Sequence, residues 1–260
     1  MSDAAMGRRQ AAFRDDFRTR IARAYSGWLH VALIFAIGAG AIFVAARHVS
    51  HPAWYEYLVI PVAFALSNVF EWWIHRYIMH RPVAGFMGIY RRHTLAHHQF
   101  FTDVAPSFDS SRDFRIVFFP PYALATFIAI SLPPAALLMA VGLANAGRML
   151  LITNVALYLN YELFHYCCHV KDDRIVRHIP LVNSIRRHHI AHHNPAIMME
   201  RNFNLTYPVA DWFFGTSDLA CGLIRHIFNG MDTRFVRTDL KRARSGSDDP
   251  RIGRAPAAAE

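Results

Sequence analysis

The sequence predicts an all-α integral membrane protein, with about four transmembrane helices and a cytoplasmic helical cap rich in histidine. Hydrophobic residues make up 53% of the 260-residue chain and gather in long runs, which is typical of segments dissolved in lipid. Only 18% of the residues are charged, against about a quarter in soluble domains. Basic residues and histidines are concentrated outside the longest apolar runs. These observations exclude an ordinary soluble domain.

The first element is a basic N-terminal segment at residues 1–27, which holds six arginines. Phe13, Phe17, Ile21 and Tyr25 recur every four residues between these arginines. This pattern indicates an amphipathic helix that lies on an anionic membrane surface. A disordered basic tail is the alternative interpretation.

Four apolar runs follow this segment. Residues 28–46 and 54–74 are each close to the ~20 residues that one crossing requires. Residues 114–143 contain four prolines and are too long for one straight helix but too short for two crossings, so we interpret them as one kinked span or a shallow hairpin. Residues 148–168 are continuous and lead directly into a histidine pair.

The distribution of Lys and Arg predicts the orientation. With four spans, all of the 28 basic residues except Arg47 and Arg148 lie on one side of the membrane, and the positive-inside rule assigns that side to the cytoplasm. Both termini and the histidine-bearing segments would then be cytoplasmic, at the inner membrane if the host is bacterial. We expect one membrane domain at residues 28–238 and a disordered tail at residues 239–260.

Eleven of the 16 histidines fall into four compact clusters. The clusters are His75 and His80; His93, His97 and His98; His165 and His169; and His188, His189, His192 and His193. Isolated histidines at a membrane boundary are ordinarily interfacial polar residues, whereas clusters of ionisable residues there indicate a functional site. The isolated histidines are His30, His48, His51, His178 and His226.

Helical spacing predicts which imidazoles can share an ion. Histidines four residues apart lie about 40° apart on an α-helix. His189, His192 and His193 fit an arc of about 100°, and substituting His188 for His189 widens it to about 140°, so we predict His189 as the ligand. Imidazole suits iron, zinc, copper and nickel. Ten imidazoles suit two ions better than one, and two iron ions can share the reduction of dioxygen.

The order of these histidines resembles the fatty acid hydroxylase/sterol desaturase superfamily of membrane diiron enzymes. The resemblance runs from about Glu71 to Asp218 and includes NFNLTYPVADWFFGTSD at 202–218, which is similar to the closing Asp-x-x-Phe-Gly-Thr pattern of that superfamily. The chain departs from many lipid 2-hydroxylases of this group, because three residues rather than two separate His93 from the His97-His98 pair.

This resemblance implies two Fe ions, with O2 as co-substrate and a lipid as substrate. The implied ligands, which would also be the catalytic residues, are His75, His80, His93, His97, His98, His165, His169, His189, His192 and His193. Electrons are expected from a separate cytochrome b5-, ferredoxin- or rubredoxin-like protein, since the sequence shows no cytochrome b5 segment. We expect no nucleic-acid partner.

The resemblance favours hydroxylation of a lipid C–H bond over desaturation by the same centre. A histidine-rich membrane metal transporter is the alternative from a different class, and it would place polar residues along a path through the bilayer. Ligating histidines usually donate their second N–H to a carboxylate or a carbonyl. The candidate carboxylates are Glu71 and Glu162 first, and then Asp103, Asp109, Asp113 and Asp211. Cys167 and Cys168 are expected to be buried and inert rather than ligands.

Overall fold

The computed structural model describes residues 3–240, with side chains from residue 7, and this part of the chain is helical, with no strand beyond one isolated bridge. The all-α prediction is therefore confirmed for these residues. Of the tail predicted at 239–260, residues 241–260 lie outside the described part. The helices are α1 Asp3–Thr19, α2 Gly27–Ala46, α3 Val59–Ile74, α4 Met87–Arg92, α5 His98–Phe100, α6 Phe114–Val117, α7 Pro121–Ala140, α8 Ala144–His169, α9 Pro180–His192, α10 Val209–Phe213 and α11 Leu223–Phe228.

Helix α1 forms within the basic N-terminal segment and is anchored to the rest of the protein. Arg14 Nη2 donates to the carbonyl oxygen of Ala105 at 2.7 Å, and Gln10 Nε2 donates to that of Phe100 at 2.9 Å. Arg18 pairs with the buried carboxylate of Asp113 at 2.8 Å. The aromatic face of α1 packs on a buried core cluster. Residues 3–19 are thus helical, and the aromatic face of this helix is covered by protein.

The helix predicted from the spacing of Phe13 to Tyr25 is longer than the one observed. Helix α1 ends at Thr19, so Ile21 and Tyr25 lie in the connection to α2. The chain turns here because Ser26 caps α2, its hydroxyl accepting the N–H of Leu29 at 3.3 Å. An N-cap residue needs extended backbone, which a continuous helix cannot supply.

Three segments of the described chain are long and apolar enough to cross a membrane, and they are Gly27–Ala46, Trp54–Met79 and Ser111–Ala140. Large apolar side chains on these segments point outward, such as Phe43, Leu66 and Leu137, which are each about two-thirds exposed. Burying apolar surface is worth about 25 cal/mol per Å², so exposing such faces to water is unfavourable and a lipid environment would suit them. These segments match the first three predicted runs.

The proline-containing run contributes the short α6 and one long helix of 20 residues, α7, which contains Pro133 and Pro134. Gly142 follows it with a φ of +88°, a conformation that glycine adopts without strain. The chain then reverses into α8, so the hairpin forms between α7 and α8 rather than within residues 114–143. The two helices approach closely, because a Cβ on Gly147 would lie 2.5 Å from the carbonyl oxygen of Ala135.

Helix α8 is the central helix of the bundle and packs against α2, α3, α7 and α9. It has 26 residues, but it is not among the three apolar segments, because it carries Arg148, Glu162 and several asparagines. The carboxylate of Glu56 accepts the N–H groups of Asn145 and Ala146, both at 3.1 Å, at the start of α8. An acidic group is favourable at a helix N-terminus. The predicted fourth span is this helix, and its crossing stays a prediction.

Candidate metal centre

Two short π-helical turns place the first two histidine clusters. Helix α3 continues into a π turn at His75–Met79, and α4 continues into another at His93–His97. In each turn the first histidine accepts, at its carbonyl, the backbone N–H of the histidine five residues later. Residues five apart point about 140° away from each other on an α-helix, whereas here the rings of His75 and His80 stack at 4.9 Å between centroids. Such π turns are frequent at functional sites.

Five of the histidines form the first group that could hold an ion. Their donor nitrogens all lie within 4.8 Å of one another, and every member is buried. The Nε2 atoms of His75 and His93 are 2.8 Å apart, those of His93 and His98 are 3.2 Å apart, and those of His80 and His192 are 3.0 Å apart. The members of the group are His75, His80, His93, His98 and His192.

The second group contains four histidines whose donor atoms also lie within 4.8 Å of one another, namely His97, His165, His169 and His189. The Nε2 atoms of His97 and His165 are 3.2 Å apart, and those of His169 and His189 are 3.1 Å apart. His193 joins this group through its Nε2, which lies 3.0 Å from that of His189. The structure thus brings together all ten histidines predicted as ligands: nine form these two groups, and His193 contacts the second.

The donor geometry fits two bound cations. Nitrogens that bind one ion at about 2.1 Å in directions 90° apart lie about 3 Å from each other. His192 Nδ1 donates to the carbonyl oxygen of Arg201 at 2.8 Å, and His80 Nδ1 donates to the hydroxyl of Thr94 at 3.3 Å. Both Nε2 atoms then carry lone pairs, and they face each other at 3.0 Å. Two lone pairs repel at this distance unless a cation lies between them.

Burial keeps these imidazoles neutral and able to bind metal. Removal from water lowers the pKa of His97, His98, His189 and His192 well below the usual value for histidine. It lowers the pKa of His193 to about 3. A neutral imidazole offers a lone pair, whereas an imidazolium does not, so these side chains are metal-competent at neutral pH.

Backbone carbonyl oxygens orient the rings from outside the two groups. His169 Nδ1 donates to the carbonyl oxygen of Pro106 at 2.6 Å, and His193 Nδ1 donates to that of Phe101 at 3.0 Å. His97 Nδ1 donates to the carbonyl oxygen of Ile116 at 3.2 Å, and His75 Nδ1 donates to that of Phe203. Such bonds fix the tautomer of a ligating histidine and the direction of its ring.

The prediction that Glu71 and Glu162 orient ligating histidines is wrong. The Glu71 carboxylate instead accepts the backbone N–H groups of Leu205 and Thr206, at 2.5 and 2.9 Å, and the Glu162 carboxylate accepts that of Phe119 at 3.1 Å. Both carboxylates therefore fix the loops around the histidines. Carbonyl oxygens already occupy the second nitrogens of five of these histidines, and sequence does not show where a carbonyl points. The five are His75, His97, His169, His192 and His193.

The remaining candidate carboxylates have separate surroundings. Asp109 and Asp113 bind Arg18 of the N-terminal helix, while Asp211 accepts from His188 Nε2 at 3.0 Å. Asp103 belongs to neither of the two histidine groups.

Asp211, the first residue of the closing Asp-x-x-Phe-Gly-Thr pattern, organises the loop that supports the first group. Its carboxylate accepts the backbone N–H groups of Phe203 and Asn204, at 3.0 and 2.6 Å, and the hydroxyl of Thr216 at 2.6 Å. Phe203 in turn supplies the carbonyl oxygen that holds the ring of His75. The sequence singled out this pattern only by resemblance, and the structure gives it a physical role.

Two isolated histidines are not interfacial, contrary to expectation. His30 is buried, with one ring nitrogen 2.7 Å from the hydroxyl of Tyr25 and the other 2.9 Å from the carbonyl oxygen of Phe119. His226 is buried as well and bonds to the carbonyl oxygen of Gly222. Each fills a polar position inside the protein because a backbone carbonyl is available to it.

The two adjacent cysteines lie beside the metal centre without joining it. Cys168 is buried and Cys167 is half-buried, and both are free thiols. Neither belongs to the two histidine groups found in the described residues. The third cysteine, Cys221, is distant in sequence from these two. Burial raises the pKa of its thiol, so this thiol is protonated at neutral pH.

An apolar cavity of about 400 Å³ leads from the helical bundle to the histidines. His75, His93, His97 and His165 are part of its lining, so both histidine groups face it. Aromatic and aliphatic side chains of α3, α7 and α8 form most of the wall. They include Phe64, Phe70, Ile74, Phe127 and Leu157, and Phe119 of the connection between α6 and α7 joins them.

These features define a class of protein: an all-helical protein with three helices long and apolar enough to span a membrane, and with buried histidine groups that could hold metal ions and that line an apolar cavity. The fatty acid hydroxylase family matches residues 60–216, which is more than half of the chain and includes all ten of these histidines. The chain belongs to this family, within the fatty acid hydroxylase/sterol desaturase superfamily. Comparison with curated proteins gives no match, and comparison with solved structures gives none either.

Proposed function

We propose that this protein is a membrane oxygenase that hydroxylates a C–H bond of a lipid, using two iron ions held by the ten histidines. The overall reaction would convert the C–H bond, O2, two electrons and two protons into an alcohol and one molecule of water. The electrons would come from a separate redox protein on the cytoplasmic side. Membership of the fatty acid hydroxylase family supports this reaction type.

One observation carries the proposal: both histidine groups line the end of an apolar cavity. A cavity walled by aromatic and aliphatic side chains binds an apolar chain and excludes water. His93 and His97 contribute to different groups and both reach the cavity, so a substrate there would lie against both ion positions. Bound iron would supply the reduction of O2 and the cleavage of the C–H bond.

The protein's own residues contribute positioning and protection. The carbonyl oxygens behind the imidazoles hold the rings rigidly, so little reorganisation is needed when metal binds. The apolar wall keeps one carbon of the chain beside the centre, and this proximity accounts for a large part of a rate enhancement. Exclusion of water from the cavity limits wasteful side reactions of the oxidant.

The same arrangement argues against metal transport. A transporter places its polar residues near the bilayer midplane along a path. Here the histidines gather where α3 and α8 end, and the cavity that reaches them is mainly apolar. The histidines therefore support a fixed metal centre better than a route for ions.

The test combines metal analysis with lipid mass spectrometry. We expect purified wild-type protein to hold about two iron ions per chain, and cells that express it to contain a lipid 16 Da heavier than its precursor. His97→Ala and His169→Ala should lose iron and abolish the product, whereas His48→Ala, an exposed histidine outside both groups, should retain both. A product 2 Da lighter than its precursor would indicate desaturation. Normal iron content and turnover in both cluster variants would rule out the diiron proposal.

A further inference from the structure

A second cavity, of about 530 Å³, lies beside the first and is rich in arginine. Arg20, Arg92 and Arg115 line it together with Tyr25, and its lining contains no acidic residue. It forms where the segment between α1 and α2 meets the end of α4 and the short helix α6. This is the side of the molecule that the charge distribution assigns to the cytoplasm, close to the membrane surface.

Arg92 connects the two cavities, because it lines both of them. Its Nη2 donates to the carbonyl oxygens of Arg115 and Phe118, at 2.8 and 2.7 Å, which fixes the position of the guanidinium. Within the described residues, Nε and Nη1 of Arg92 make no hydrogen bond. A guanidinium can donate in five directions, so this one retains donors for a ligand.

The described residues supply no close counter-ion for the positive charges of Arg92 and Arg115. Among residues 7–240, no carboxylate lies within 4 Å of Arg92 or Arg115, although Arg20 pairs with the exposed Asp16 at 2.5 Å. Glu162 attracts Arg92 from a greater distance, but its carboxylate accepts the N–H of Phe119. A partly buried cation without an anionic partner is unfavourable, so an anion bound from outside would stabilise it.

We propose that the lipid substrate carries an anionic headgroup, a phosphate or a carboxylate, which binds Arg92 and Arg115 while its hydrocarbon chain occupies the apolar cavity. This inference rests on the proposed function, because it names the class of lipid that enters the same centre. Guanidinium groups form strong charge-assisted hydrogen bonds with both anions, and Arg92 keeps its Nε and Nη1 donors for single bonds of this kind. Arg92 directly precedes His93 in the chain, so an anion held there would anchor the lipid beside the metal centre.

The test measures lipid binding by the purified full chain in an uncharged, phosphate-free detergent. The probes are phosphatidylglycerol, diacylglycerol with the same acyl chains, and inorganic phosphate. We expect phosphatidylglycerol to bind about ten-fold more tightly than diacylglycerol, since hydrogen bonds to charged groups are strong. Arg92→Gln and Arg115→Gln should remove that preference, and inorganic phosphate should compete only weakly because it lacks a chain.

Arg91→Gln is the matched control, because Arg91 is the exposed neighbour of Arg92 and lines neither cavity. It removes the same charge and should leave the preference intact. If Arg92→Gln fails to fold after losing its carbonyl contacts, the exposed Arg115 provides the independent test. Equal binding of the two lipids by wild-type protein, or an equal loss in Arg91→Gln, would overturn the inference. Displacement of phosphatidylglycerol by micromolar phosphate would overturn the lipid as the source of the anion.

This assay requires neither turnover nor iron, so it separates the two proposals. Iron-dependent oxidation of a lipid without any preference for an anionic headgroup would overturn the arginine site and leave the oxygenase standing. Binding of phosphatidylglycerol that depends on Arg92, in a protein that never holds iron, would support the anion site and contradict the oxygenase.

Discussion

Neighbouring histidines His188 and His189 have different surroundings, although their chemistry is the same. His189 Nε2 lies 3.1 Å from that of His169 and 3.0 Å from that of His193. His188 points away from this group, and its Nε2 lies 3.0 Å from a carboxylate oxygen of Asp211. The imidazole of His189 therefore faces the second histidine group, and that of His188 holds the loop around Asp211.

We therefore predict that His189→Ala loses iron and activity, whereas His188→Ala retains a measurable fraction of both. His189→Ala removes one donor from the second group. His188→Ala leaves the buried Asp211 without one of its partners, which costs about 1–3 kcal/mol of folding free energy. Iron counted per purified chain, together with thermal unfolding, distinguishes the two effects.

The contrary pattern is equally clear. A His188→Ala protein that is folded but empty of iron, next to a fully loaded His189→Ala protein, would show that the α9 histidines are assigned to the wrong sides. Exposed His48 serves as the control, since its substitution by alanine should alter neither iron content nor the unfolding midpoint.

The spacing of the histidines and the family resemblance together predicted which imidazoles come together, but not what holds them. Clustering of histidines is visible in a sequence, and so is the helical arc that favours His189 over His188. The acceptors behind the rings include the carbonyl oxygens of Pro106 and Phe203, which any residue type could supply. Sequence reasoning assigned that part to Glu71 and Glu162 because only side chains carry a sequence signal.

At the level of helices, the π turn at His75–Met79 explains the unusual spacing of the first pair. Four residues separate His75 from His80, which would place them on different faces of an α-helix. The π turn adds one residue to the helical turn and returns both rings to the same side, with their centroids 4.9 Å apart. Sequence periodicity describes regular α-helices, so it does not predict this π turn.

Lengthening this turn by one residue should displace His80 from the first group. We predict that inserting an alanine after Tyr77 lowers the iron content from about two per chain toward one, because the second group does not depend on this turn. The matched control inserts an alanine after Ala84, in the exposed connection to α4, where loops tolerate extra residues. Unchanged iron in the first insertion, or equal loss in the second, would contradict this role of the π turn.

At the scale of the whole molecule, the segment after α2 contacts the start of α8 at the end of the bundle opposite the histidines. The turn after α2 and the start of α8 are joined there, since the N–H of Ser50 donates to Asn145 Oδ1 at 3.1 Å and Glu56 caps α8. The other ends of α3 and α8 carry His75 and His165. The sequence predicted this polarity from the positions of arginine and histidine. It could not predict the capping contacts, because they join residues about 90 positions apart.

The position of α8 in the bundle supports its prediction as the fourth membrane span. Helix α8 starts at the same end as the turn that follows α7 and runs back along α7 toward the histidines. Its 26 residues correspond to about 39 Å at 1.5 Å per residue, which exceeds the ~30 Å hydrocarbon core. Its polar side chains, such as Glu162 and Asn154, are covered by neighbouring helices. A helix surrounded in this way needs less apolar surface than one that faces lipid.

We therefore predict that α8 crosses the membrane and that both termini are cytoplasmic. Reporter fusions at residues 5 and 255 should both give the cytoplasmic signal, and a reporter inserted at Gly142, in the turn between α7 and α8, should give the opposite one. The Gly142 insertion is informative because that glycine is exposed and has open space around it. Termini on opposite sides would require an odd number of spans and would remove α8 from the membrane. If all three reporters were cytoplasmic, neither α7 nor α8 would cross, and the protein would have two spans instead of four.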